Sequence, residues 1–142
     1  MILVDTNVLV AALRSRNGKS RQLVRSLLLG EHVAGVSVPL FLEYEAVLTR
    51  SENLQAFGLE KQEVIDFLDG LAACLQPIEI SFLWRPQLRD PCDEMVLEAA
   101  ANGGASYLVT WNVRDFLPAA HKFGLLVLTP EAYLKEDENA RK

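Results

Sequence analysis

The strongest constraint on this chain is its series of short apolar runs set between helical patterns. Ile2–Val4, Val33–Val36, Ile78–Ile80, Tyr107–Val109 and Leu125–Leu128 are brief, apolar and partly β-branched, as buried strands are. Helical spacing fills the intervals. Ser20–Leu29 is closed by Gly30, and Pro39–Leu48 has a proline suited to a first helical turn. Gln62–Leu75 follows, and Asp93–Asn102 stops at Gly103 and Gly104. Strands alternating with helices predict an α/β fold, with a central parallel sheet of about five strands and helices on both faces. At 142 residues one domain is expected, spanning 1–135, with a charged tail over 136–142 that frays.

A composition of 50% hydrophobic and 23% charged residues argues against disorder. No apolar run is long enough to span a bilayer, and the first residues carry no basic leader region, so no membrane association is expected. Cys74 and Cys92 stand outside any CxxC pattern, which suits a cytoplasmic protein with free thiols. The net charge of −5 argues against coating nucleic acid by bulk attraction. The charge is unevenly spread, however. No acid lies between Thr6 and Gly30, whereas Arg14, Arg16, Lys19, Arg21 and Arg25 all do. Such an arm is either a solvated helix face or a surface for phosphates.

In open parallel sheets, sites form outside the carboxyl ends of the strands. Asp5 stands there after the first strand, as an N-cap or a metal ligand, with Thr6 and Asn7 beside it. In "RDPCDEM", Asp90 and Asp93 make a normal helix start, but that start does not require Glu94 as a third nearby carboxylate. Like charges so close raise one another's proton affinity unless a cation offsets them. In "SVPLFLEYEAVL", Glu43 and Glu45 flank the apolar stripe on opposite sides, and periodicity does not choose between them. "YLVTWNVRDF" ends a strand at Thr110 and continues through Asn112, Arg114 and Asp115, where an Asx-turn is the plain alternative. Trp111 either stacks on a base or covers the sheet. His32 and His121 lack a readable partner and are expected at the surface. The acids therefore recur after strands one, three and four and on the helix after strand two. All oxygen donors without a histidine, they suit Mg²⁺ or Mn²⁺ and phosphodiester hydrolysis better than zinc chemistry.

In order, "MILVDTNVLVAAL", "SVPLFLEYEAVL", "RDPCDEMVLEAA" and "YLVTWNVRDF" resemble the PIN domains, specifically the VapC-like toxin ribonucleases of toxin–antitoxin systems. The resemblance implies a three-layer α/β/α sandwich and an endoribonuclease using one or two Mg²⁺ or Mn²⁺ ions. It also implies RNA as substrate, a small antitoxin as partner and a homodimer. It assigns Asp5, Glu43, Asp93 and Asp115 as catalytic metal ligands, so that Glu43 is chosen over Glu45. Asp90, Glu94 and Asn112 are alternative ligands, and Thr6, Asn7 and Thr110 are supports. Asn112 stands where the family often has its fourth acid, which weakens a second metal position. With RNA as substrate, Arg14, Arg16, Lys19, Arg21 and Arg114 become candidate phosphate contacts. The alternative expectation is a weak or inactive PIN-like module that only binds RNA or protein. An aspartate-nucleophile phosphatase fits less well, because Asn7 stands where that chemistry wants a second Asp.

Overall fold

A computed structural model describes residues 1–82, 87–88 and 90–140, with Cys92 described by its backbone alone. Arg89 at the head of "RDPCDEM", the Cys92 thiol and the last two tail residues, Arg141 and Lys142, lie outside the described residues. The chain begins with β1 (Ile2–Val4), whose three apolar side chains are all buried. It continues through α1 (Thr6–Arg14), α2 (Lys19–Leu28), β2 (Gly35–Val36), α3 (Val38–Leu48), α4 (Ser51–Phe57) and α5 (Lys61–Ala72). The second half comprises β3 (Gln76–Pro77), α6 (Pro91–Gly103), β4 (Tyr107–Val109), α7 (Val113–Ala120), a 3₁₀ turn, β5 (Leu126–Leu128) and α8 (Pro130–Ala140).

Strands β1, β4 and β5 form a parallel sheet in the order β1-β4-β5, with Leu3 level with Leu108 and Leu108 level with Val127. Strands β2 and β3 pair separately, also in parallel. A single parallel bridge between Ile2 and Ala34 joins the two parts, supported by the Ile2 N–H donating to Val33 O at 2.9 Å. The expected sheet of about five strands is thus three strands plus a pair. The spatial order is β3-β2-β1-β4-β5, so the chain builds outward from β1, then returns to its other side. That reversal between β1 and β4 is the topological switch point, where the crevice of an open α/β sheet lies.

The helices bury stripes at helical spacing on both faces of this sheet. Leu40, Tyr44 and Leu48 of α3 and Val64, Leu68 and Leu71 of α5 are buried, together with Val8 and Leu9 of α1. Local signals set the boundaries. Ser37 Oγ accepts from the Leu40 N–H at the head of α3, and Glu60 with Glu63 forms a capping box at the head of α5. Gly58 ends α4 with a left-handed φ of 68°. Several segments differ from the sequence reading: β2 is Gly35–Val36 rather than Val33–Val36, and α4 is not expected at all. The third strand is Gln76–Pro77 rather than Ile78–Ile80, because pairing with β2 selects that register. The segment from Glu136, expected to fray, is helical as far as Ala140. Buried Tyr133 anchors this last helix, its ring meeting Tyr107 edge-on at 5.5 Å.

Candidate active site

At the switch point, the ends of β1 and β4 are tied together by side chains. The Asp5 N–H donates to Val109 O, and the Thr110 N–H donates to Leu128 O, so both residues end their strands in register. Asp5 and Thr110 are buried, and Thr110 Oγ1 donates to Asp5 Oδ2 at 2.7 Å. The same hydroxyl accepts from Asn7 Nδ2 at 3.3 Å and from the Asn112 N–H at 3.0 Å. Asn7 Oδ1 in turn accepts from the Trp111 N–H at 3.3 Å. Beneath this network the Tyr44 hydroxyl donates to Val4 O, fixing α3 to the last residue of β1. Asp5 does occupy the N-cap position of α1, yet its side chain makes no capping bond to that helix. Its carboxylate meets the cross-strand Thr110 hydroxyl and the adjoining Thr6 N–H.

The site is electrostatically crowded. Burial pushes the Asp5 carboxyl above its ordinary range, and the charges of Asp90 and Asp115 push it further. The Thr110 hydroxyl and the Thr6 backbone N–H pull in the opposite direction by favouring the charged form. Asp93 is pushed up to about 7, by burial first and then by Asp5, Asp90, Asp115 and Glu94. Asp5, Asp90, Asp93 and Asp115 therefore act on one another although they come from the turn after β1, the entry and first turn of α6 and the first turn of α7. Among the described residues, no three or more His, Cys, Asp or Glu side chains are arranged to hold a metal ion as they stand. The carboxylate set nonetheless fits a hard divalent cation. Its donors are oxygens, and the burial and mutual repulsion that raise Asp5 and Asp93 both disfavour charge, which such an ion would offset.

The remaining assignments divide. Glu43 is half-buried on α3 next to Tyr44, whereas Glu45 is exposed, but Glu43 is not among the charges acting on Asp5 or Asp93. Glu94 is buried, and its Oε1 accepts from the backbone N–H groups of both Gln87 and Leu88 at 2.6 Å. One oxygen of this candidate ligand thus secures the chain entering α6. Asn112 is exposed at the head of α7 and makes no side-chain cap there. Trp111, for which two roles were open, has its indole Nε1 donating to Ser20 Oγ at 2.8 Å. No sequence pattern announced that contact, nor the Tyr44 anchor, because each joins residues far apart in the chain.

The basic arm splits in space. Arg16, Arg21 and Arg25 line a groove of about 510 Å³ with Leu13, Leu28 and Phe67. Lys19 lies with His32 in a second cleft that Arg25 also lines, while Arg14 is exposed at the end of α1. Arg114 shares a cleft of about 460 Å³ with Trp111 and Asp115. His32 is not the surface residue expected. Its side chain is 7% exposed, with Nδ1 3.0 Å from the Tyr133 hydroxyl and Nε2 3.7 Å from Asp137.

A parallel α/β fold with helices on both faces and a buried aspartate at its switch point, acted on by neighbouring carboxylates, defines a class of acid-site α/β domains. Residues 1–114 match the family model described as PIN domain, and the chain belongs to that family. It has no significant match among curated proteins. PIN domains are in general nucleases, which makes the chain a nuclease-type hydrolase of nucleic acid. The matched span holds Asp5, Glu43, Asp90, Asp93 and Asn112 and stops one residue before Asp115. Among the described residues, no helix is long and apolar enough to cross a membrane.

Proposed function

We propose that this PIN-domain protein is a Mg²⁺- or Mn²⁺-dependent endoribonuclease and the toxin of a toxin–antitoxin pair. The observation that carries the reading is the buried Asp5 carboxylate held by Thr110 across the β1/β4 switch point, with Asp90, Asp93 and Asp115 near enough for their charges to act there. Asp5, Glu43, Asp93 and Asp115 are the residues that would hold one or two ions, with Asp90 and Asn112 at hand. Glu94 would act by positioning. When bound, the ion would lower the pKa of a water and neutralise charge on the phosphoryl group. The Thr110 bond favours the charged form of Asp5 against its burial and fixes one orientation, so that the carboxylate meets its ligand without rearranging. Arg114 offers a cation for an incoming phosphate beside the acids, and Arg14, Arg16, Lys19 and Arg21 extend that attraction along α1 and α2.

The test is Mn²⁺ titration together with cleavage of end-labelled RNA by the parent and by Asp5→Asn. The reading requires Mn²⁺ binding and products with 5′-phosphate and 3′-hydroxyl ends, both abolished by Asp5→Asn. Cleavage that survives Asp5→Asn would refute it. The second reading, a module that binds RNA or protein without cutting, draws support from Asn112 and from the open arrangement of the acids. It requires RNA binding with no Mn²⁺ dependence. The antitoxin, the homodimer and a cytoplasmic setting belong to the same proposal. A short neighbouring gene for a DNA-binding protein would support the first, and sedimentation of the purified chain would test the second.

A further inference from the structure

We propose that Trp111 and Arg114 form a subsite for a single unpaired nucleotide, the indole stacking on the base and the guanidinium meeting its phosphate. The inference rests on the nuclease reading for its substrate, but its geometry is independent of the acids' chemistry.

Trp111 is held at two points. Its backbone N–H donates to Asn7 Oδ1, and its indole Nε1 donates at 2.8 Å to Ser20 Oγ, on a residue that is itself 1% exposed. The backbone and one ring edge are thus fixed, while the residue remains 42% exposed. A large aromatic with its polar edge satisfied and much of its area uncovered is not behaving as core. It is a platform whose rotamer entropy is lost on folding rather than on binding. The cleft it lines, with Arg114, Asp115, Leu117 and Thr129, is a shallow one open to solvent, of about 460 Å³. That lies within the range of about 300–1,000 Å³ typical of small-ligand pockets.

The chemistry around the platform selects the occupant. Arg114 is exposed and has no ion-pair partner among the described residues, so a phosphate can reach it. Asp115, in the same cleft, belongs to the acid cluster, so a nucleotide seated here would lie next to the candidate metal ligands. Inside a duplex both faces of a base are covered by its neighbours, so stacking on Trp111 requires an unpaired nucleotide. Because every base has a π-face, the contact tolerates sequence.

The experiment uses the full chain carrying Asp5→Asn to prevent cleavage and Trp84→Phe to leave Trp111 as its one indole. Indole emission is followed during titration with a hexameric oligoadenylate and with an abasic hexamer carrying the same phosphates. The proposal expects quenching by the oligoadenylate and affinity for the abasic strand weaker by about 5- to 150-fold. Trp111→Leu, followed by anisotropy of labelled strands, should weaken oligoadenylate binding to a similar extent. It should also erase the difference between the two strands. Trp111→Phe should restore most of the affinity, and Ser20→Ala, which frees the ring edge, should lose part of it. Equal binding of the two strands by the Trp111 protein would overturn the subsite. That comparison stands even if Trp111→Leu fails to fold. Cleavage by the unmodified chain is scored separately. Absence of cleavage with base-dependent quenching removes the nuclease reading alone, and cleavage without base dependence removes the subsite alone.

Discussion

Thr110 donates its hydroxyl proton to Asp5 across 2.7 Å, although 105 residues separate the two in sequence. The contact spans the switch point and pairs a buried donor with a buried carboxylate, so each residue's burial is tolerable because the other is present.

Thr110→Val keeps the shape and removes the donor. It also strands the Asn7 amide and the Asn112 N–H, which give their protons to this oxygen. A loss of about 1–3 kcal/mol is expected, seen as a melting point lower by several degrees. Asp5 loses a group that favours its charged form, so its carboxyl should rise further and Mn²⁺ binding should require a higher pH than in the parent. Calorimetric Mn²⁺ titrations at pH 6 and pH 8 measure this, and identical pH dependence in parent and variant would contradict it.

The stability of the metal-free protein should fall as pH rises between about 4 and 7. Asp93 titrates near 3.8 in the unfolded chain and is pushed up to about 7 in the folded one. Within that window the folded state holds more protons than the unfolded state, so the slope of stability against pH is negative. Above pH 7 the full penalty is present. Asp93→Asn should flatten the slope and melt higher than the parent at pH 8 in EDTA. Mn²⁺ should raise the parent's melting point more at pH 8 than at pH 6, with little effect on the variant. Thermal melts across pH 5–8 with and without Mn²⁺ provide the check.

Glu94 should prove a structural residue. Glu94→Ala leaves the Gln87 and Leu88 N–H groups without their carboxylate acceptor and should cost about 2–3 kcal/mol. Glu94→Gln keeps an acceptor oxygen and should recover part of that. In a folded Glu94→Gln protein, Mn²⁺ affinity should change far less than in Asp93→Asn. A comparable loss in both would make Glu94 a ligand after all.

The last helix should depend on His32. Tyr133→Phe keeps the ring against Tyr107 and removes the hydroxyl that meets His32 Nδ1. A cost of about 1 kcal/mol is expected. Amide exchange should accelerate over α8 while β1 and β4 stay protected, because those strands belong to the buried sheet. Uniform acceleration across the chain would rule out this local anchor.

What the sequence made legible was periodic. Apolar spacing located β1, β4, β5 and the main helices, and the position of Asp5 after a three-residue apolar run placed it at a strand end. Ser51–Phe57 carries no readable pattern, because α4 has no fully buried residue and so no stripe. The shift of β3 to Gln76–Pro77 depends on its pairing with β2, which no local pattern encodes. For the site, residue types near strand ends brought Asp5, Asp90, Asp93 and Asp115 forward. The commitment of Glu94 to two backbone donors and the pinning of Trp111 by Ser20 are tertiary facts. Gly103 is a further instance. Read as a helix stop, it also leaves space that a methyl would contest with Ile78 Cδ1 at 2.7 Å and the Met1 side chain at 2.8 Å.

The hydroxyl of Thr110 has a single hydrogen, and it is spent on Asp5, which gives the whole network a direction. Asn7 must present its NH₂ to that oxygen and its carbonyl to the Trp111 N–H, so its amide cannot turn over without breaking both links. An aspartate at position 7 would be nearly isosteric, yet it would set a second acceptor against an oxygen with no proton left to offer. In the "DTN" at the head of this chain, the one-atom change from amide to acid is therefore the more disruptive kind of near-identity.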